Sequence, residues 1–219
     1  MTLPAVIFDM DGLLLDTEQV CLSCFVDTRR HFSLSDSPET FLKCVGLRGP
    51  KSRQIIIESL GPDVDFDAFD AEWDQRIDAA LDHTIPIKEG AAELLQMLTE
   101  QGNPLAVATS TETERASRQL DAVGLLAHFE FVIGGDMVTK HKPDPEVYLT
   151  AAARLGYAPK DCVAFEDSET GTRAAITSGA RTVQVPDLIA PSDEYRAMGH
   201  VIAPSLIEGA IAVGLIQQP

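Results

Sequence analysis

The residues best suited to chemistry in this sequence are acids, hydroxyls and one lysine, in four short groups. Asp9 and Asp11 stand in "FDMDGLLLDT" (8–17), at the end of an apolar run. Thr109, Ser110 and Thr111 follow "LAVA" (105–108), Lys142 lies in "HKPDPE" (141–146), and Glu166 and Asp167 follow "CVAF" (162–165). Carboxylates at the end of a hydrophobic run are costly to desolvate unless something compensates them. Crowded together, like charges raise one another's pKa and cost stability. A divalent cation removes that conflict. A few hard oxygen ligands, with room for water and an anionic group such as phosphate, suit Mg²⁺.

Each residue alone has a plainer reading. An aspartate after a strand caps the next helix, as does Thr109 or Ser110, and Lys142 is a surface cation. The chemical reading depends on the elements that bring them together. "PAVIF" (4–8), "LAVA" (105–108), "FEFVI" (129–133), "CVAF" (162–165) and "TVQV" (182–185) are short, apolar or β-branched, and bounded by turn residues, so they are expected as strands. Helices are expected over 90–101, 112–123, 169–178 and from Asp144-Pro145 to Leu155, with Gly102, Gly124, Gly156 and Gly179 as stops. Strand–helix alternation of this kind predicts an α/β fold, a Rossmann-like parallel sheet core with helices on both faces. In such sheets ligands bind outside the carboxyl ends of the strands. Three of the four groups fall at those ends, and Lys142 just precedes the helix that leads to the fourth strand.

The stretch between the first two strands breaks the alternation. "QVCLSCFVDTRRHF", "PETFLKCVG", "PKSRQIIIESL" and "FDAFDAEWDQRIDAALDH" all read as helices. The segment is too long for a simple crossover. It is expected to be an inserted helical cap domain over 16–86, with 1–15 and 87–219 forming the catalytic core. Linkers are expected near Leu15–Glu18 and Thr84–Glu89. The acidic run "DVDFDAFDAEWD" (63–74) begins like a calcium loop, but Ala68 stands where glycine is needed and Asp74 where glutamate is needed. It reads as a solvated helix face. Cys21 and Cys24 form a C-x-x-C without a second pair, on a helical stretch, and read as packed thiols.

Composition narrows the partners. The chain has 219 residues, 45% hydrophobic and 23% charged, with a formal net charge of -17 and a pI near 4.5. That balance disfavours nucleic acid and anionic membranes. The N-terminal apolar stretch is short, is cut by Asp9 and Asp11, and lacks a basic leader. No run has the length of a membrane span. The expected location is cytoplasmic, and the expected state a monomer or weak dimer.

"DMDGLLLDT", "VATST", "KHKPDPEVY" and "FEDSETG" resemble, in this order, the four motifs of the haloacid dehalogenase superfamily of phosphohydrolases. The helical insertion after the first motif is similar to the cap of the β-phosphoglucomutase-like group. The resemblance implies an aspartyl-phosphate mechanism. Asp9 would be the nucleophile. Asp11 would be the general acid and then the base. The Asp9 carboxylate, the Asp11 backbone carbonyl and Asp167, with Glu166 close by, would hold Mg²⁺. Thr109, Ser110 and Lys142 would hold the phosphoryl oxygens.

Two positions refine that expectation. Dehalogenases of the superfamily lack an aspartate at the position of Asp11, so phosphate chemistry is favoured. β-Phosphoglucomutases carry a histidine where this chain has Cys21, and a thiol does not replace an imidazole in handling a proton. The expected function is therefore Mg²⁺-dependent hydrolysis of a small phosphomonoester, a sugar or polyol phosphate. A sugar phosphomutase and a non-enzymatic binding protein of the same fold are the alternatives. Arg48 and Lys51 in "GLRGPKSR" are the cap's candidate substrate contacts, against the plainer reading of exposed cations.

Overall fold

The computed structural model describes residues 3–45, 50–83 and 85–218. The chain divides into two compact units, one of Met1–Leu15 with Pro86–Pro219 and the other Asp16–Ile85. Strand β1 (Ala5–Phe8) belongs to the first. The second holds α1 (Thr17–His31), α2 (Pro38–Leu42), α3 (Pro50–Leu60) and α4 (Phe66–His83). The first unit continues with α5 (Ala91–Gln101), β2 (Leu105–Ala108), α6 (Thr113–Ala122), β3 (Phe131–Ile133), α7 (Glu146–Leu155) and β4 (Cys162–Glu166). It ends with α8 (Glu169–Ser178), β5 (Arg181–Gln184), α9 (Asp193–Arg196), β6 (Val201–Ile202) and α10 (Leu206–Ala212).

The six strands form one all-parallel sheet in the order β3-β2-β1-β4-β5-β6. A parallel sheet needs cover on both faces, which is why its strands read as continuous apolar runs. Ala5 and Ile7 pack with Ala164 against Tyr148, Ala151 and Ala152 of α7 and Ala174 and Ala175 of α8. The alanines of α7 and α8 let these helices lie close to the strands. One residue along, Phe8 stacks on Phe165 with centroids 5.1 Å apart. A Cβ on Gly209 of α10 would press on Val183 and Phe165, so α10 lies close against this part of the sheet. The order of strand addition reverses at β1: β2 and β3 lie on one side of it, β4 to β6 on the other. That makes the β1/β4 boundary the topological switch point.

The third strand is shorter than the sequence suggests, and α7 begins at Glu146, with Pro145 before it. A sixth strand and the helices α9 and α10 are additions to the sequence reading. With two residues in β6 and seven in α10, neither carries a periodic signal. Asp16 occupies the position before α1, but its side chain makes no capping hydrogen bond to the helix, contrary to the capping role its place suggests.

In the helical unit, Phe25, Phe41, Phe69 and Trp73 form an aromatic core, with Phe25 and Trp73 centroids 5.1 Å apart. The Trp73 indole N–H donates to the Cys21 carbonyl at 3.2 Å. Arg29 is buried, donating to the Ser35 carbonyl at 2.7 Å and to the Ser59 hydroxyl at 3.0 Å. Among the described residues neither Cys21 nor Cys24 forms a disulfide, and burial, then Asp27, push Cys24 above the ordinary thiol value. That is the opposite of redox activation. Asp63, Asp65, Asp67 and Asp74 of the acidic run are exposed. Among the described residues, no helix is long and apolar enough to cross a membrane.

Candidate active site

Register brings the first and last acidic groups together. Phe8 of β1 pairs with Phe165 of β4, and the Asp9 amide donates to the Phe165 carbonyl at 3.0 Å. Asp9 and Glu166 therefore leave neighbouring strands side by side. After Asp9 the chain turns tightly. The amides of Leu13, Leu14 and Leu15 all donate to the Met10 carbonyl, and Gly12 adopts φ +78°. The three leucines are buried, so "GLLLD" anchors the loop that carries the two acids.

Lys142 sits among these acids. Its ammonium donates to Asp9 Oδ1 at 2.6 Å, to Glu166 Oε1 at 2.6 Å and to the Ala108 carbonyl at 3.0 Å. Its side chain is 7% exposed. Burial works to lower its pKa, but Asp9 and then Glu166 outweigh it, and the ammonium is held above the usual lysine range. Glu166 is fully buried. Burial raises its pKa first, Lys142 pulls it down and Asp9 pushes it up, with the net direction upward. The Tyr148 hydroxyl donates to Glu166 Oε1 and the Ser168 hydroxyl to Oε2. Burial, followed by Glu166 and Asp9, holds the Tyr148 phenol well above its ordinary pKa. It stays a donor.

The Ser168 side chain also caps α8 by accepting the Gly171 amide at 3.1 Å. A Cβ at Gly171 would collide with the Glu166 carboxylate. These contacts give the acidic motif its physical content. Its serine caps the helix, its glycine makes room, and its two acids face the site.

Asp9, Glu166 and Asp167 each offer a carboxylate oxygen, all within 4.8 Å of one another. An all-oxygen set of this size fits a hard divalent cation that keeps several waters. The cradle is kept open by backbone chemistry, since a Cβ at Gly12 would stand 2.5 Å from Asp167 Oδ2. The Gln184 side-chain amide donates to the Asp167 carbonyl at 3.3 Å.

The Asp11 carboxylate is not a member of that trio. Its Oδ2 accepts from the Thr111 hydroxyl at 2.7 Å and more weakly from Thr109 at 3.4 Å. The Thr109 oxygen in turn accepts the Thr111 amide at 3.1 Å. Ser110 is half-buried, and its carbonyl lies so close to Gly135 that a Cβ there would stand 2.5 Å away. Lys51 is exposed at the start of α3, and Arg48 lies outside the described residues. Tyr148 and Gln184 are site neighbours that sequence reasoning passed over. Tyr148 reads as one more apolar position on α7. Gln184 is the last residue of β5, and the strand-end rule could have found it.

A family model described as "Haloacid dehalogenase-like hydrolase" matches residues 6–185. The chain belongs to the haloacid dehalogenase-like hydrolases. Its sequence is 29% identical over 179 residues to a phosphorylated carbohydrates phosphatase of Thermotoga maritima, covering 82% of this chain and 83% of that protein. It is 32% identical over 182 residues to fructose-1-phosphate phosphatase YqaB of Escherichia coli, covering 82% of this chain and 94% of that one. The crystal structure of a putative beta-phosphoglucomutase from Thermotoga maritima superposes with a TM-score of 0.81 at 26% identity, over 98% of this chain and 100% of that chain. This haloacid dehalogenase-like hydrolase thus stands among phosphatases and shares its α/β fold with a β-phosphoglucomutase-like protein.

Proposed function

We propose that this hydrolase is a Mg²⁺-dependent phosphatase acting on a small sugar or polyol phosphate through an aspartyl-phosphate on Asp9. The observation that carries the proposal is the Lys142 ammonium bridging Asp9 and Glu166 at 2.6 Å each, beside a three-carboxylate cluster at the switch point. Phosphoryl transfer needs positioning and charge neutralisation more than unusual side chains. The Asp9 carboxylate forms the new P–O bond, and the leaving oxygen departs with a proton from Asp11. Asp11 then takes a proton from water as that water attacks phosphorus, which releases phosphate and restores Asp9. Thr111 and Thr109 orient the Asp11 carboxylate through Oδ2, which suits a group that must gain and lose a proton. Lys142, Thr109 and Ser110 bind the phosphoryl oxygens. Mg²⁺, held by Asp9 and Asp167 with Glu166 close by and the Asp11 carbonyl completing the set, would offset the charge of the carboxylates and of the bound phosphate.

The helical unit Asp16–Ile85 is read as the cap that chooses the substrate, with Arg48 and Lys51 as its candidate contacts. The names of the relatives support a phosphorylated carbohydrate as substrate, and the net charge of -17 supports a small-molecule partner over nucleic acid. A cytoplasmic monomer or weak dimer completes the reading. The test is phosphate release across a panel of sugar, polyol and nucleotide monophosphates. Turnover is expected to stop with EDTA and to fall at least about 10³-fold in Asp9→Asn. Full activity in that variant would refute the mechanism. The mutase reading draws on the β-phosphoglucomutase-like neighbour. It requires conversion of β-glucose 1-phosphate to glucose 6-phosphate with a bisphosphate primer, and free phosphate as the sole product eliminates it.

A further inference from the structure

The rim of the site holds one more carboxylate, and half of it is unaccounted for. Past β5, the Val185 amide donates to the Glu166 carbonyl at 2.7 Å. That bond fixes the chain beyond β5 to the end of β4, and Asp187 follows two residues later. The Asp187 side chain is 8% exposed. Its Oδ1 accepts from the Lys88 ammonium at 2.5 Å. Its Oδ2 is buried and has no hydrogen-bond partner among the described residues. A buried charged oxygen left unsatisfied is costly, and native proteins rarely keep one without a reason.

The position of Oδ2 supplies the reason. A Cβ placed on Gly12 would lie 3.3 Å from Asp187 Oδ2 and 2.5 Å from Asp167 Oδ2. The two oxygens therefore border the same small space. Asp187 Oδ2 thus lies within reach of a water on a cation bound to the Asp167 carboxylate, along a path from carboxylate oxygen to Mg²⁺ to water to acceptor with legs of about 2.1, 2.1 and 2.8 Å. Lys88 is itself tied to the loop after Asp11, since its amide donates to the Leu14 carbonyl at 2.9 Å. Its ammonium also offsets the charge of Asp187, so the pair adds an acceptor to a crowded acidic site without adding net charge.

We propose that Asp187 is a positioning residue of the metal site, its Oδ2 accepting a hydrogen bond from a water of the cation held with Asp9, Glu166 and Asp167. This rests on the Mg²⁺-dependent reading above. Asparagine is the informative replacement. Lys88 requires the amide oxygen, which turns the amide N–H₂ toward a water that is itself a donor.

The test is binding of Mn²⁺ alone to the metal-free protein, followed by the EPR signal of the free ion, in wild type, Asp187→Asn, Lys88→Met and Asp167→Asn. Asp187→Asn is expected to bind about 10- to 100-fold more weakly, the usual scale for losing an outer-shell partner. Lys88→Met leaves the acceptor in place and is expected within about threefold of wild type, well short of that outer-shell loss. If Asp187→Asn does not fold, as judged by circular dichroism of the metal-free protein, Asp187→Ser takes its place. Wild-type affinity in the Asp187 variant, with Asp167→Asn impaired, overturns the assignment alone. Equal losses in the Asp187 and Lys88 variants also overturn it, because the ion pair would then be a scaffold. Absence of binding by wild type, or no loss in Asp167→Asn, overturns the metal site itself and this inference with it.

Discussion

Replacing Lys142 by methionine keeps the apolar stem and removes the charge that two buried carboxylates share. Each of its two ion pairs is 2.6 Å long, with the Asp9 side chain 10% exposed and that of Glu166 0%. Breaking one buried pair costs about 3–5 kcal/mol. One ammonium serves two acids here, so the expected loss at pH 7 is near the upper end, about 5 kcal/mol, or about 10–20 °C in melting temperature for a chain of this size. The loss depends on pH, with a definite sign. Burial, and to a lesser extent Asp9, raise the pKa of Glu166, while Lys142 lowers it. Without Lys142 the folded value climbs further from the ordinary 4.5. The folded variant then binds a proton that the unfolded chain does not, and stability rises as pH falls. The deficit against wild type should therefore be largest at pH 8 and shrink steadily toward pH 5. The assay is urea unfolding of metal-free protein followed by far-UV circular dichroism at four pH values. A deficit under about 1 kcal/mol at pH 8, the scale of an exposed pair, would refute the reasoning. So would a deficit that stays constant over the range.

Thr111→Val removes the 2.7 Å donor to Asp11. A hydrogen bond to a charged group is worth about 1.5–3 kcal/mol, so kcat is expected to fall about tenfold or more with the fold intact, measured as phosphate release against pH. Gly171→Ala forces a methyl group against Glu166 and is expected to cost at least about 1–3 kcal/mol in urea unfolding. The Cys162 thiol is raised to about 11, chiefly by burial. Folded protein therefore keeps its proton where the unfolded chain begins to lose it, near pH 9, and stability falls from there toward pH 11. Cys162→Ala should show a shallower decline over the same range in thermal melts.

Much of the site could be read from the chain because parallel strands are short apolar runs and ligands gather at their ends. Asp9, Thr109 and Glu166 declare themselves by standing just there, and Lys142 by its place before α7. What stayed hidden depends on contacts between distant residues. Tyr148 looks like core and is core, yet its hydroxyl meets Glu166. Nothing near Gly171 says that its missing Cβ makes room for an acid five residues back. Arg29 reads as a surface cation in "DTRRHF", but Ser35 and Ser59 close over it. Strand β6 is too short for any period to show. Asp187 was within reach of the strand-end rule, but its orphaned oxygen required three-dimensional structure to see.

The aromatic core of the helical unit has a spectroscopic consequence. The chain contains a single tryptophan, and Trp73 packs on Phe25 and Phe41 with its indole N–H bonded to a backbone carbonyl. Intrinsic emission excited at the red edge therefore originates wholly within Asp16–Ile85. Far-UV dichroism, by contrast, averages over the whole chain. Comparing the two signals through one denaturation curve separates the melting of the helical unit from that of the sheet unit without any introduced fluorophore.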